Sequence, residues 1–319
     1  MDLSIIIVNW NSKEYLKRCL NSIYSQSIRL IYEIIVVDNA SFDGCDRILK
    51  DEFPDVIFIQ IKKNIGFGKA NNLGFQHTSG RNLLFLNPDT EILGPAIYTM
   101  YHYLEKIPDA GAAGCTLLNS DQSIQTSCVQ TFPTILNQIL DIEYLKVLFP
   151  NLRFWGINPL LSYNGIPQKV EVVSGACLMV KRDIFEKIDK FTTDYFMYTE
   201  DIDLCYKVQN AGYIVYYISD AQVVHYGGGS SKKHENDVGV VLMRESIFKF
   251  FRIRKGELSA KCYRLSMSIA SIIRLMMLGI LLLLPFKEAH RIKFYHTFSK
   301  WKKILRWSVG LERWASNLK

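Results

Sequence analysis

The segment Thr199-Glu200-Asp201-Ile202-Asp203-Leu204 sets three carboxylates within four positions. Like charges that close repel one another unless a cation, a helix N-terminus or protonation relieves them. Leu204, Val208 and Ala211 predict a short helix that starts from a Thr199 cap and ends at Gly212. Acids gathered in a first helical turn are the plainer explanation of the cluster. The run Tyr195-Phe196-Met197-Tyr198 just before it would partly desolvate the acids, raising a carboxylate's pKa and suiting it to general-base work. A second carboxylate stands in Asn87-Pro88-Asp89, directly after the apolar run Leu83 to Leu86. Hard divalent cations take oxygen ligands and keep waters and substrate phosphates, so Asp89 and a diphosphate would suffice to hold one. The same triplet also reads as a turn or cap. His225 closes Ala221-Gln222-Val223-Val224 and precedes Gly227-Gly228-Gly229-Ser230-Ser231-Lys232-Lys233. Such a loop offers backbone N–H groups and ammonium charges to a diphosphate, or serves as a flexible linker.

The elements that must position these groups alternate in kind. Leu3 to Val8, Glu33 to Val37 and Asn82 to Leu86 are short apolar runs, and the first two are rich in Ile and Val, as strands buried on both faces of a parallel sheet require. Ser12 to Ser25 carries Tyr15, Leu16, Leu20, Ile23 and Tyr24 at helical spacing, with Ser12 as N-cap. Val56 to Ile61 predicts a further strand and Lys69 to His77 the helix after it. The alternation gives an α/β layer with right-handed crossovers. In such sheets ligands sit beyond the carboxyl ends of the strands. Those ends carry Asn9-Trp10-Asn11, Asp38-Asn39-Ala40-Ser41 and Asn87-Pro88-Asp89. Strands also end in Asn and Asp simply to turn, but three converging clusters favour a site. The stretch from Thr116 to Gln168, with Pro133, Pro150, Pro159 and Pro167, has no periodicity and reads as an insertion facing the site. Val170 to Val180 predicts another strand, in which Ser174-Gly175-Ala176 permits close approach of backbone to a ligand. Asn64-Ile65-Gly66-Phe67-Gly68 is no dinucleotide fingerprint. Position 71 is Asn, and the segment does not follow the first strand, which removes an oxidoreductase reading.

Charge is unevenly placed along the 319 residues. Residues 244–319 hold 17 of the 38 Lys and Arg but 4 of the 31 Asp and Glu, so they carry +13 and the remainder −6. A basic tail seeks an anionic surface, lipid or nucleic acid. The apolar run within that tail and the acidic front weigh against nucleic acid. Seven scattered cysteines without a C-x-x-C pair argue against a disulfide framework or a zinc site and fit a reducing cytosol. Acidic Asp2, where a basic leader segment would stand, predicts no signal peptide.

Taken in order, Ser4 to Asn11, Ile35 to Ser41, Asn64 to Phe67, Asn87 to Asp89, Val173 to Ala176 and Glu200 to Leu204 resemble glycosyltransferase family 2, in its rhamnosyltransferase-like branch. The resemblance runs from about Leu3 to Ser230. It implies a GT-A fold, an α/β nucleotide-binding domain with a mostly parallel sheet, and an inverting transferase dependent on Mg2+ or Mn2+. By position, Asp38 would hold the nucleotide, with Asn9, Asn64 and Gly66 about the same pocket. Asp89 and His225 would hold the metal, and Asp201 would be the catalytic base. Glu200 and Asp203 would support Asp201 or touch the acceptor, beside Ser174 and Gly175. Asn87 replaces the first acid of the family's D-x-D turn, which leaves one fewer charge for the cation. Asn71-Asn72 stand where many relatives have Arg-Asn, so Lys69 or Lys232 would compensate at the diphosphate, with Gly228 and Ser230. The implied partners are a nucleoside-diphosphate sugar, dTDP-rhamnose first and UDP-sugars next, and a lipid-linked or polysaccharide acceptor of bacterial surface glycans. A non-catalytic nucleotide-sugar-binding scaffold is the alternative, favoured by Asn87 alone.

These readings divide the chain into a GT-A domain, 1–235, and a helical, basic, membrane-associating region, 236–319. Leu265 to Phe286 is barely long enough to span a bilayer, and Arg274 near its middle would be costly there. Basic residues on both sides and Trp301, Trp307 and Trp314 favour helices lying on the cytoplasmic face of the plasma membrane. A single span over 265–286 and a buried core helix stay open as alternatives.

Overall fold

The computed structural model describes residues 1–26, 29–140, 165–227 and 237–318. Strands β1 (Leu3–Asn9), β2 (Tyr32–Asp38), β3 (Ile57–Gln60) and β4 (Asn82–Leu86) lie parallel in the order β3-β2-β1-β4. β1 is flanked on both sides, which is why every residue of Leu3–Asn9 is buried, whereas the outer strand β3 is half-exposed. Helices α1 (Lys13–Tyr24), α2 (Cys45–Glu52) and α3 (Phe67–Phe75) make the crossovers. α1 buries Leu16, Cys19, Leu20 and Ile23, one face of a 3.6-residue period. Ser12 stands at its N-cap position but does not cap it. Its hydroxyl donates to the Trp10 carbonyl, and Asp43 Oδ2 instead accepts from the Lys13 N–H at 3.0 Å.

β5 (Thr90–Leu93), α4 (Ala96–Lys106) and β6 (Ala110–Leu118) follow, then a short strand β7 (Val129–Gln130) and a one-turn helix α5 (Ile135–Ile139). The single strand expected over Val170 to Val180 is divided into β8 (Gln168–Val170), β9 (Val172–Val173) and β10 (Cys177–Lys181). β9 leaves the main sheet to pair with β7, and the chain bends at Ser174-Gly175-Ala176 before β10 inserts antiparallel between β4 and β6. α6 (Arg182–Lys187), α7 (Glu200–Asn210) and β11 (Ile214–His225) complete the layer, with β11 between β6 and β5 and β8 also on β11. Parallel register aligns Asn9 with Asp38 and Ile7 with Leu86, so the three polar strand ends emerge along one edge.

Beyond residue 236 the described chain is helical: α8 (Asp237–Lys255), α9 (Glu257–Leu283), α10 (Glu288–Ser308) and α11 (Arg313–Asn317). These helices share their own core, in which Phe251, Tyr263, Trp301 and Trp307 are buried together. Tyr198 and Phe196 of the α/β layer pack against that core, so the two regions meet beside α7. α9 is long and apolar enough to cross a membrane. It buries Tyr263, Met267 and Ala270 and exposes a stripe that includes Leu265, Ile269, Ile273, Met276 and Ile280. Arg274 is absent from that stripe's apolar surface for a physical reason. Its guanidinium lies 4.1 Å from the Trp301 ring centroid, and it donates to the Ile139 carbonyl of α5.

Candidate active site

A cleft of about 510 Å3 opens at the carboxyl edge of the sheet. One wall carries Val8, Trp10, Asn39 and Asn64. Asn39 Nδ2 donates to Asn64 Oδ1 at 3.0 Å, while Asn39 Oδ1 accepts from the Ile65 N–H and Asn64 Oδ1 from the Gly66 N–H. Gly66 sits at φ +87° with the Phe196 carbonyl oxygen 2.4 Å from where a Cβ would stand, so only glycine fits this crossing. Beneath the wall, Asp38 and Asn9 are wholly buried. Asp38 accepts from Asn9 Nδ2 at 2.8 Å, Gln60 Nε2 at 2.6 Å and the Ser41 N–H at 3.1 Å. Burial pushes the Asp38 carboxyl up, but these donors outweigh it and hold the pKa below the ordinary range. The pair organises the floor of the pocket from below and does not line it.

Asn87 and Asp89 at the end of β4 and His225 at the end of β11 line the cleft together. His225 Nε2 is 3.3 Å from Asp89 Oδ1 and 3.4 Å from Asn87 Nδ2. The other ring nitrogen, Nδ1, lies 3.0 Å from Gln125 Oε1. Gln125 Nε2 donates to the His225 carbonyl, which fixes the amide with its oxygen towards the ring. Nδ1 therefore donates to Gln125, and Nε2 is the ring nitrogen that faces Asp89 and Asn87. A carboxylate oxygen, an imidazole nitrogen and a side-chain amide form an apt partial shell for Mg2+ or Mn2+, which would fill the rest with water and diphosphate oxygens. Gln125 is the outer partner that such a histidine needs. No local pattern points to it, because it lies 100 residues away in an aperiodic stretch.

Among the described residues Asp38, Asp43 and Cys45 also bring potential ligand atoms within 4.8 Å of one another. The Asn9 amide nitrogen stands among them, 3.3 Å from Asp43 Oδ2 and 3.4 Å from Cys45 Sγ. Burial pushes the Cys45 thiol up, away from the thiolate a metal would need. That cluster satisfies an amide donor.

The acids of α7 divide between two faces. Glu200 and Asp201 line the cleft beside Ser174 and Gly175. Asp201 Oδ2 accepts from the Gly175 N–H at 2.8 Å and Oδ1 from the Ile202 N–H at 2.8 Å. Burial raises the Asp201 pKa, and these two donors restrain the rise. A Cβ on residue 175 would stand 3.0 Å from the Asp201 Cβ, so the glycine sets the approach of the two chains. Glu200 is raised further, to about 8, by burial and then by the neighbouring Asp201 charge. Its Oε2 meets no hydrogen-bond partner among the described residues. Asp203 does not face the cleft. It is wholly buried and accepts from Arg254 Nε at 2.5 Å and Nη2 at 2.8 Å, with Thr192 Oγ1 at 2.6 Å and Tyr195 OH at 3.2 Å. Of the two roles expected for it, support fits this position and acceptor contact does not.

Thr199 stands at the N-cap position without a side-chain cap. Instead Tyr198 and Thr199 are both left-handed, at φ 69° and 72°, and so aim the first turn of α7 at the cleft. The preceding loop is pinned by the Phe67 N–H on the Phe196 carbonyl and by Ser246 Oγ on the Met197 carbonyl. Lys69, on α3, does not line the cleft and lies near enough to Lys249 to help lower its pKa, chiefly a burial effect. Gly228, Ser230 and Lys232 lie outside the described residues. A second wall was not singled out residue by residue in the sequence. It consists of Thr126 to Gln138 in part and of Met243, Arg244 and Ile247 on α8.

The fold matches known structures. Among solved structures, the mannosyltransferase PcManGT from Pyrobaculum calidifontis, in complex with GDP-Man and Mn2+, superposes with a TM-score of 0.58 at 16% identity, over 96% of this chain and 86% of that one. TarS of S. aureus superposes with a TM-score of 0.51 at 15% identity, over 98% and 73%. The fold is thus GT-A-like. Among sequences, an N-acetylglucosaminyl-diphospho-decaprenol L-rhamnosyltransferase of Mycobacterium tuberculosis is 27% identical over 246 residues, 72% of this chain and 77% of its own. The rhamnosyltransferase WbbL of Escherichia coli is 26% identical over 70% of this chain and 82% of its own. The family described as Glycosyl transferase family 2 matches residues 4–189, well over half of the chain, and this protein belongs to it.

Proposed function

We propose that the protein moves a sugar from a nucleoside diphosphate to an acceptor hydroxyl by a single displacement with inversion. The observation that carries this reading is the meeting in one cleft of Asp201, held by the Gly175 N–H, with the Asp89–His225 pair. Asp201 takes the proton from the acceptor hydroxyl as its oxygen bonds to the anomeric carbon. The bond from that carbon to the diphosphate breaks, and the nucleoside diphosphate leaves with the electron pair. A raised carboxyl pKa brings Asp201 closer to the operating pH, where a base is most effective. A divalent cation held by Asp89 and His225 would neutralise the charge on the leaving diphosphate. Asn9 and Asp38 brace the nucleotide pocket from beneath. Asn64 and Gly66 line or shape its wall, and Glu200 tunes its neighbour.

The donor is a dTDP- or UDP-linked hexose, with rhamnose first because two relatives are named rhamnosyltransferases. One of those relatives is named for a diphospho-decaprenol substrate, which favours a lipid-linked acceptor in surface-glycan synthesis. Residues 1–235 form the catalytic unit, and 236–319 dock it to the cytoplasmic face of the plasma membrane. The test is nucleotide release from a donor panel with crude lipid-linked acceptor, in Mg2+, Mn2+ or EDTA. One donor should give metal-dependent release, reduced at least a hundred-fold in Asp201→Asn. Unchanged turnover in that variant would sink the assignment. Donor binding without release from any donor would favour the scaffold reading, to which the neutral Asn87 lends itself.

A further inference from the structure

Gln125 holds His225 by two bonds at once. Its Oε1 lies 3.0 Å from His225 Nδ1, and its Nε2 donates to the His225 main-chain carbonyl. The first bond fixes the rotation of the ring, and the second fixes the chain that carries it. The opposite nitrogen, Nε2, is thereby kept facing Asp89 and Asn87. The torsion that turns an imidazole ring is soft, with broad minima, so an unheld ring would carry Nε2 away from that position.

The sheet puts Gln125 in reach of the ring. β6 and β11 are parallel neighbours, with Leu118 in register with Val224. After Leu118 the chain reverses through Asn119-Ser120-Asp121-Gln122-Ser123, polar residues that favour turns. The Asn119 N–H donates to the Ser123 carbonyl at 2.7 Å, Asp121 Oδ1 accepts from the Ser123 N–H at 3.0 Å, and Ile124 bridges back to Leu118. The Gln125 N–H then donates to the Leu117 carbonyl at 2.8 Å. This reversal returns the chain alongside β6 and delivers one side chain to the end of β11. Onward from Gln125, Thr126 and Ser127 line the cleft. The Cys128 carbonyl accepts from the Ser174 N–H at 3.2 Å, one residue before the Gly175 N–H that holds Asp201. Those links towards the base are made by backbone groups, so a change confined to the Gln125 side chain leaves them in place.

We propose that Gln125 is a positioning residue for the divalent cation, acting through the orientation of His225, an assignment that rests on reading Asp89 and His225 as the metal ligands. The test titrates Mn2+ into the full chain in detergent and follows the electron spin resonance of the free ion, so no turnover is needed. Gln125→Leu, similar in size and without side-chain polar atoms, should weaken Mn2+ binding about ten- to a hundred-fold, the range for loss of the outer partner of a metal-bound histidine. Gln125→Glu keeps an acceptor for Nδ1 and loses the donor to the carbonyl, so its affinity should fall between. His225→Ala removes the group through which Gln125 acts. Adding Gln125→Leu to it should cost no further affinity, because the effects of two residues in one contact do not add. UDP affinity in EDTA should be the same in the parent and in both Gln125 variants. Undiminished Mn2+ affinity in Gln125→Leu would overturn the proposal. So would fully additive losses in the double variant, or a loss of UDP affinity in EDTA as large as the loss for Mn2+, since either would mean that Gln125 acts on the fold at large. Failure of the metal reading is separately visible, as absent Mn2+ binding to the unaltered chain with or without UDP, and it would take this proposal with it.

Discussion

Glu200 stands in an environment far from water. Its carboxyl is buried next to Asp201, and its pKa is raised from the ordinary glutamate value to about 8. The folded chain therefore holds a proton that the unfolded chain has already lost between pH 4.5 and about 8. Folding stability falls as pH climbs through that window and is unaffected below it. Glu200→Gln keeps the size and neutral form of the side chain, so it should remove this loss. In EDTA, the thermal midpoint of the variant should exceed the parent's at pH 8.5, and the difference should vanish towards pH 4. A midpoint difference that does not change with pH would mean that Glu200 ionises as freely in the fold as in water.

α7, which carries the proposed base Asp201, is held from behind. Buried Asp203 and partly exposed Arg254 form a two-pronged ion pair that fastens the helix to the end of α8. Removing one partner strands a charge in the interior, which costs about 3–5 kcal/mol. Arg254→Ala should therefore lower unfolding free energy by that amount in urea titrations, and it should slow turnover through displacement of Asp201. Arg254→Met combined with Asp203→Leu restores apolar packing and should recover most of the stability. A change under about 0.5 kcal/mol in Arg254→Ala alone would show that the pair carries no structural weight.

Across the whole molecule, the acidic front carries the cleft's carboxylates, and the basic tail adds a cleft wall from α8 and an exposed apolar stripe on α9. α9 presents Leu265, Ile269, Ile273, Met276 and Ile280 on one side, while its other side closes the helical core. An apolar stripe flanked by Lys287, Arg291, Lys293 and the following basic residues is the pattern of a helix lying in a leaflet. Retention on vesicles should require anionic lipid, and high salt should weaken it without abolishing it. Replacing Ile273 and Met276 together by Glu should release the protein while its melting temperature is kept. Undiminished retention in that double variant would place the contact elsewhere.

The local chemistry of the chain determined much of this. Apolar runs followed by Asn, Asp and Gly define strands and their ends, and parallel pairing then has to bring Asn9, Asp38 and Asn87 to one edge. The opposite facing of Asp201 and Asp203 follows from the helix expected over them, because successive helical residues differ by about 100°. Tertiary structure decided what no local pattern encodes. It alone turned Tyr198 and Thr199 left-handed, set Gln125 behind His225, and gave Arg254 and Arg244 their partners across 51 and 106 residues. It also gave Arg274 a ring and a carbonyl, so that a charge in an apolar run became an internal tie. For the four polar partnerships the reason is common: hydropathy and turn chemistry act over a few residues, whereas the partner of a buried polar group is set by which distant segments the packed core brings into contact.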